Sequence, residues 1–200
     1  ESFDKALPFY FEIADKYKQE NKIDDLIKAY NQIAEIYDTR KEVENAIDYM
    51  LKALTVIKEN KTGKDVAEQT LKIAELYRRN KILTQAEEYY FKAFHIYYAM
   101  IKDKDSAKGC LESIIVMYFE YYDSGKCENK CNDVIEYGMV YNLDMRTIND
   151  IVTDYLNRRF IKRTLVNANI GGSLKYLLEE SSGLLRLSEK LQHLRYQVYL

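Results

Sequence analysis

Few residues in this 200-residue chain have the type and spacing that chemistry requires. Cys127 and Cys131 are four apart, so on a helix they share a face and offer two thiolates to zinc. A structural site needs two more ligands. Cys110 is a candidate, but His95 and His193 form no paired motif with anything, so no metal site is expected. The cysteines read instead as small buried hydrophobes. There is no G-x-S-x-G, no Walker-type loop and no H-E-x-x-H, and the Gly171-Gly172 pair follows a helix rather than a strand. The carboxylate pairs Asp24-Asp25, Glu87-Glu88 and Glu179-Glu180 are adjacent, so their members point to different sides of a helix and read as solvated faces. No catalytic residue, no cofactor and no enzymatic activity are predicted. One basic cluster remains. Arg158 and Lys162 share a helix face, as do Arg159 and Arg163, and together they could hold a phosphate or an acidic helix. Phe160 and Ile161 between them read as core-facing with the charges solvated, and without a wider basic field nucleic acid is not an expected partner.

The elements that would position these residues follow from composition. Seven glycines and one proline are too few for a fold rich in tight turns, while 47% hydrophobic residues supply a core, so the expectation is all-α. Thirty basic against 32 acidic residues give a balanced chain, which argues against disorder and against coating nucleic acid by bulk charge. Three cysteines are an odd number and make no disulfide framework, so free thiols in the cytoplasm are expected. No apolar run approaches membrane-spanning length, no membrane insertion is expected, and the start at Glu1 suggests a fragment of something longer.

The chain repeats. Tyr30, Ile33, Ala34, Tyr37, Val43, Ala46, Met50 and Ala53 align with Thr70, Ile73, Ala74, Tyr77, Leu83, Ala86, Tyr90 and Ala93 at an offset of 40. Ala6, Tyr10 and Ile13 lie one period earlier; Ile114, Ile115 and Tyr118 lie one period later with a residue inserted, followed less closely by Cys127, Cys131 and Val134. Apolar residues three, four and seven apart lie on one helix face. Alanines recur where two helices must approach closely. Each unit is therefore an antiparallel helix pair, 24 to 39 with 43 to 59, then 64 to 79 with 83 to 101, joined by turns at Asn60 to Lys64 and Asp103 to Ser106. Pairs of this kind must stack to bury their apolar faces. The nineteen tyrosines, among them Tyr37, Tyr77 and Tyr118 at repeat positions, read mostly as packing residues.

The order of large residue, Leu/Ile, small residue and Tyr, then a turn, then Ala, Tyr/Phe and Ala resembles the tetratricopeptide repeat, whose usual period is 34. The longer period resembles the variants in Rap-type peptide regulators, kinesin-light-chain-like proteins and SNAP adaptors. Ala34 and Ala74 stand where the family's first helix has Gly, and its closing Pro is absent. The resemblance implies a right-handed solenoid with C-terminal capping helices and a groove lined by the first helix of each pair. Carried over, the groove residues are Lys28, Asn31, Glu35 and Asp38, then Glu68, Leu71, Lys72, Glu75 and Arg78, then Glu112, Val116 and Phe119. The Lys/Arg clamp for a C-terminal carboxylate, expected near Asn31, Gln32 and Ser113, is missing. A groove carrying Glu35, Glu68, Glu75 and Glu112 suits a protein or peptide of basic or apolar character. The resemblance thus implies a non-enzymatic binding scaffold; a peptide-sensing domain of a bacterial regulator and a SNAP-like vesicle-fusion adaptor are the alternatives.

Composition shifts near Gly138, which divides an array at 1–138 from a helical extension and cap at 139–200. Residues 145–200 carry nine basic residues against five acidic, matching either the acidic array or an outside contact. Helices are expected at 131–141, 145–167, 173–180 and 183–199, with a hinge at Asn169 to Ser173. In the last, Leu184, Leu187, Leu191, Leu194 and Val198 form a short seam. It is read as a cap on the solenoid, and so as a monomer, in preference to a dimer coiled coil.

Overall fold

The computed structural model describes residues 2–167, with side chains for 6–123 and 125–158. The expected helices at 173–180 and 183–199, their leucine seam, the Asn169 to Ser173 hinge, Glu179, Glu180 and His193 lie outside the described residues. The chain divides into two units, Glu1–Val152 and Thr153–Leu200. Eight helices are described: α1 Ser2–Gln19, α2 Ile23–Thr39, α3 Val43–Asn60, α4 Gly63–Arg79, α5 Leu83–His95, α6 Lys104–Tyr121, α7 Ser124–Val140 and α8 Arg146–Asn167. None among the described residues is long and apolar enough to cross a membrane.

In the first unit the helices pair as the repeat predicts, α2 with α3, α4 with α5 and α6 with α7, and each pair packs on the next. The alanines explain why. Ala34, Ala46, Ala53, Ala74, Ala86 and Ala93 are all 0% exposed, so the repeated small side chains are fully enclosed by the helix packing. In the third pair Cys127 takes the place of Ala86 and Val134 that of Ala93, and both are buried. The tyrosines repeat as well. Tyr37 packs on Tyr49 at 5.8 Å and Tyr77 on Tyr89 at 5.3 Å between ring centres. Lys52 and Lys92 cover the outer rings at 4.0 and 4.2 Å while pairing with Asp48 and Glu88. In the third pair Lys130 itself lies over Tyr118, at 5.6 Å.

The turns are built without glycine. Asn21, Lys41, Lys81 and Asn142 adopt left-handed backbone with φ of 54°, 63°, 60° and 53°. After each, the next amide reaches back across the last helical turn: Lys22 N–H to Tyr17 O, Glu42 to Tyr37 and Ile82 to Tyr77, each at 2.9 Å, and Leu143 to Gly138 at 3.1 Å. These are Schellman closures, which satisfy carbonyls at the helix end. The α3–α4 junction differs. Gly63, expected in a turn, opens α4, because Thr62 and Asp65 form a reciprocal capping box ahead of it. Likewise α7 begins at Ser124 rather than 131, since the Asp123 carboxylate accepts from Lys126 N–H at 3.0 Å and caps the helix there. At Gly138 a β-carbon would fall 2.6 Å from the Met145 sulfur, so a larger residue there would require the Met145 side chain to shift.

The residue inserted between the second and third repeats has a structural address. Following α5, Ile96–Ile101 form a π-helical turn, which absorbs one extra residue without breaking the helix. It ends at Lys102, left-handed at φ 62°, and Asp103 then caps α6 through Ser106 N–H at 3.0 Å.

Two stability outcomes follow from this packing. Ala74→Leu overpacks the α4–α5 crossing and should cost on the order of 1–3 kcal/mol, read as a lower thermal midpoint; an unchanged midpoint would mean the crossing lies elsewhere. Lys81→Gly removes a left-handed penalty of roughly 1 kcal/mol and should raise the midpoint, whereas Lys81→Val should lower it.

Candidate functional site

The first helices of the three pairs, α2, α4 and α6, are joined by polar side chains. Asn31 on α2 and Gln69 on α4 bond amide to amide at 2.8 Å, and the buried Gln69 also donates to Met50 O at 3.3 Å. Farther along, Asp38 accepts from Asn80 at 2.8 Å and pairs with Arg79 at 3.2 Å. One repeat later the same joint reverses its chemistry. Arg78, 8% exposed, takes the place of Asp38 and pairs with Glu120 on α6. Glu75 receives the other side of that guanidinium at 2.8 Å and the Tyr90 hydroxyl from α5 at 2.5 Å. Burial alone would draw the Arg78 value down, but Glu75, Tyr90 and Glu120 together outweigh it and hold the guanidinium above its usual range.

The predicted groove residues therefore divide. Asn31, Asp38, Glu75 and Arg78 act between helices, whereas Lys28, Glu35, Glu68 and Lys72 are exposed and Glu112 is half-buried. Lys28 leans toward Asp25 at 3.6 Å, and Glu35 accepts from the Gln32 amide at 3.2 Å. Leu71, Val116 and Phe119 are half-buried on the same helices. Sequence reasoning missed Gln69, Asn80, Glu120 and the Tyr90 hydroxyl. The signal for two of them was present: Asp38 to Asn80 and Arg78 to Glu120 are complementary pairs 42 apart.

The other candidates are placed apart. Arg158 on α8 bonds Asp154 at 2.9 Å; Arg159, Lys162 and Arg163 fall within that helix, and their side chains lie outside the described ones. The Cys127 and Cys131 sulfurs are 3.8 Å apart and buried, and Cys110 bonds back to Ser106 O at 3.3 Å. Burial pushes the Cys110 thiol up to about 12, and the neighbouring Cys127 sulfur together with burial raises Cys131, so these thiols stay protonated at neutral pH. Among the described residues no three His, Cys, Asp or Glu side chains are grouped to hold a metal ion. His95 Nε2 meets the Tyr137 hydroxyl at 3.0 Å in an aromatic cluster joining α5 to α7, with Phe94 packed on Tyr98, Tyr137 and Tyr141. Glu87 pairs with Lys130 at 3.0 Å and lies near the buried Tyr118 hydroxyl without reaching hydrogen-bond geometry.

Arg78→Met removes the cation from this joint and leaves Glu75 partly buried without it. Glu120 keeps 40% of its side-chain exposure, so the cost should fall below that of a fully buried pair, at about 2–3 kcal/mol. Urea unfolding should show that loss, with Glu75→Gln in the same background restoring part of it. Identical curves for Arg78→Met and the parent would remove the joint from the account of stability.

Residues 6–158 match a family described as "Uncharacterized protein conserved in bacteria (DUF2225)". No curated protein matches the chain. Among solved structures, BtubC (BKLC) from P. vanneervenii is similar with a TM-score of 0.50 at 16% identity, covering 83% of this chain and 75% of that one. The nearly identical TPR-like repeats of a putative kinesin light chain from Podosopora anserina give 0.43 at 11% identity, covering 92% and 97%. At such identities the likeness concerns the fold, a TPR-like solenoid of stacked helix pairs. With most of its length matched, the chain belongs to the bacterial family DUF2225.

Proposed function

We propose that this protein is a non-enzymatic scaffold that holds an extended protein segment of basic character along the face made by α2, α4 and α6. The observation that carries the reading is the division of polar side chains on those helices. Asn31, Gln69, Asp38, Asn80, Glu75, Arg78 and Glu120 bond one helix to the next. Lys28, Glu35, Glu68 and Lys72 stand out to solvent between them. The first set fixes the spacing of the helices; the second offers charge at that spacing. Neither Glu35 nor Glu68 has a cation paired with it among the described residues. Lysine or arginine side chains of a partner complement both, while half-buried Leu71 and Val116 supply apolar contact between the charges.

The test is fluorescence anisotropy of the intact chain against a Lys/Arg-rich peptide pool and an acidic pool of the same apolar content. The basic pool should bind, more weakly as salt rises. Glu35→Lys with Glu68→Lys should abolish that binding and leave the circular dichroism spectrum unchanged, since both residues are exposed. Binding retained with both charges reversed would move the site off this face.

A further inference from the structure

Glu112 differs from the other half-buried carboxylates on these helices. Asp38 is held by Asn80 and Arg79, and Glu75 by Arg78 and Tyr90. Glu112 has no hydrogen bond or ion-pair partner among the described residues; the charge that acts on it is Lys108, one turn earlier on α6. Burial holds its carboxyl above the usual carboxylate range, and Lys108 offsets this only in part. A carboxylate left in that position is short of one cation.

There is also room for one. Gly109 lies three residues earlier on α6, and nothing stands within 4 Å of where its β-carbon would be. In the register of the third repeat Gly109 takes the place of Glu68, Glu112 that of Leu71, and Val116 that of Glu75. The exposed acid of α4 has become open space, its apolar neighbour an acid, and its bonded acid an apolar residue. An open space, a carboxylate and a valine along two turns of one helix match the two ends of a long cationic side chain. Its head meets the carboxylate and its methylene stem lies on the valine.

We propose that Glu112, the space over Gly109 and Val116 form a slot for one Lys or Arg side chain of the bound protein segment. The slot rests on the reading of the α2, α4 and α6 face as a binding surface, and it names the residue that selects the partner. Glu35 and Glu68 are exposed and give charge attraction without a fixed position. Glu112 is half-buried and accepts a cation at one place only, so it sets the register of the segment.

The test selects short random peptides displayed on phage against the intact chain, then measures synthetic copies of those enriched. Enriched peptides should share Arg or Lys at one fixed position. Glu112→Gln should weaken them about tenfold or more. Citrulline in place of that Arg, or norleucine in place of that Lys, should weaken the parent to the same degree and Glu112→Gln no further. Gly109→Leu, which fills the space and favours helix, should weaken binding as well. If peptides bind this face, losing affinity with Glu35→Lys and Glu68→Lys, yet are indifferent to Glu112→Gln and to the neutral residue, the slot is wrong and the scaffold reading stands. If no peptide is enriched, both fall.

Discussion

A helix pair whose crossing is lined by alanines cannot close its own core. The six alanines of α2 to α5 are fully buried yet contribute little apolar surface each, so the core is completed by larger side chains shared with the next pair. Ala34, Ala46, Met50 and Leu54 of one pair share a buried cluster with Ile73 and Leu76 of the next. Stacking is thus a requirement of each pair. The turns, the ladder of polar contacts and the exposed face of α2, α4 and α6 are all spaced by it.

Apolar stacking alone would let the repeats slide or exchange neighbours, because one alanine crossing is much like another. The polar joints remove that freedom. Asp38 faces Asn80 and Arg79, whereas Arg78 one repeat later faces Glu120. Exchanging the order would place like charges or unmatched groups together in a partly buried site, where such a mismatch costs more than on an open surface. The Arg78 network reaches three helices, since Tyr90 joins Glu75 from α5. Its place in the middle of the described array ties the second pair to the third while the Asn31–Gln69 amides tie the first to the second.

The fold was legible in the sequence wherever a repeat position has one steric demand. Alanine at 34, 46, 74 and 86 is read directly, because a larger side chain does not fit, and all four are fully buried. Cysteine at 127 is read the same way once the insertion is allowed for. Turns were less legible: Lys41 and Lys81 take the left-handed conformation in which glycine is expected, and an exposed lysine carries no sign of its backbone angle. The start of α7 was missed because the Asp123 cap is one residue whose role depends on the next three amides. The face was legible by position and illegible by partner. Asn31 and Arg78 were found as members of it, but a carboxylate 42 residues away becomes a partner only after the helices are stacked with their actual offset. Gln69 was missed for a different reason: an amide at a buried position looks like a defect until Asn31 and Met50 O are seen to satisfy it.

The inserted residue shows how shape and chemistry are kept separate in this array. One extra residue in an uninterrupted α-helix would turn everything after it by about 100°, and the apolar set of the third pair would face away from the second. The π-helical turn at Ile96–Ile101 takes up that residue, so Phe94 before it and Ala107 after it are both buried. With the packing thus preserved, α6 is free to carry a different surface. Where α4 presents Glu68, Leu71 and Glu75, α6 presents Gly109, Glu112 and Val116. A scaffold that is to distinguish one extended segment from another needs this combination. The spacing of its contacts must stay fixed by the core, while their chemistry changes from one helix to the next.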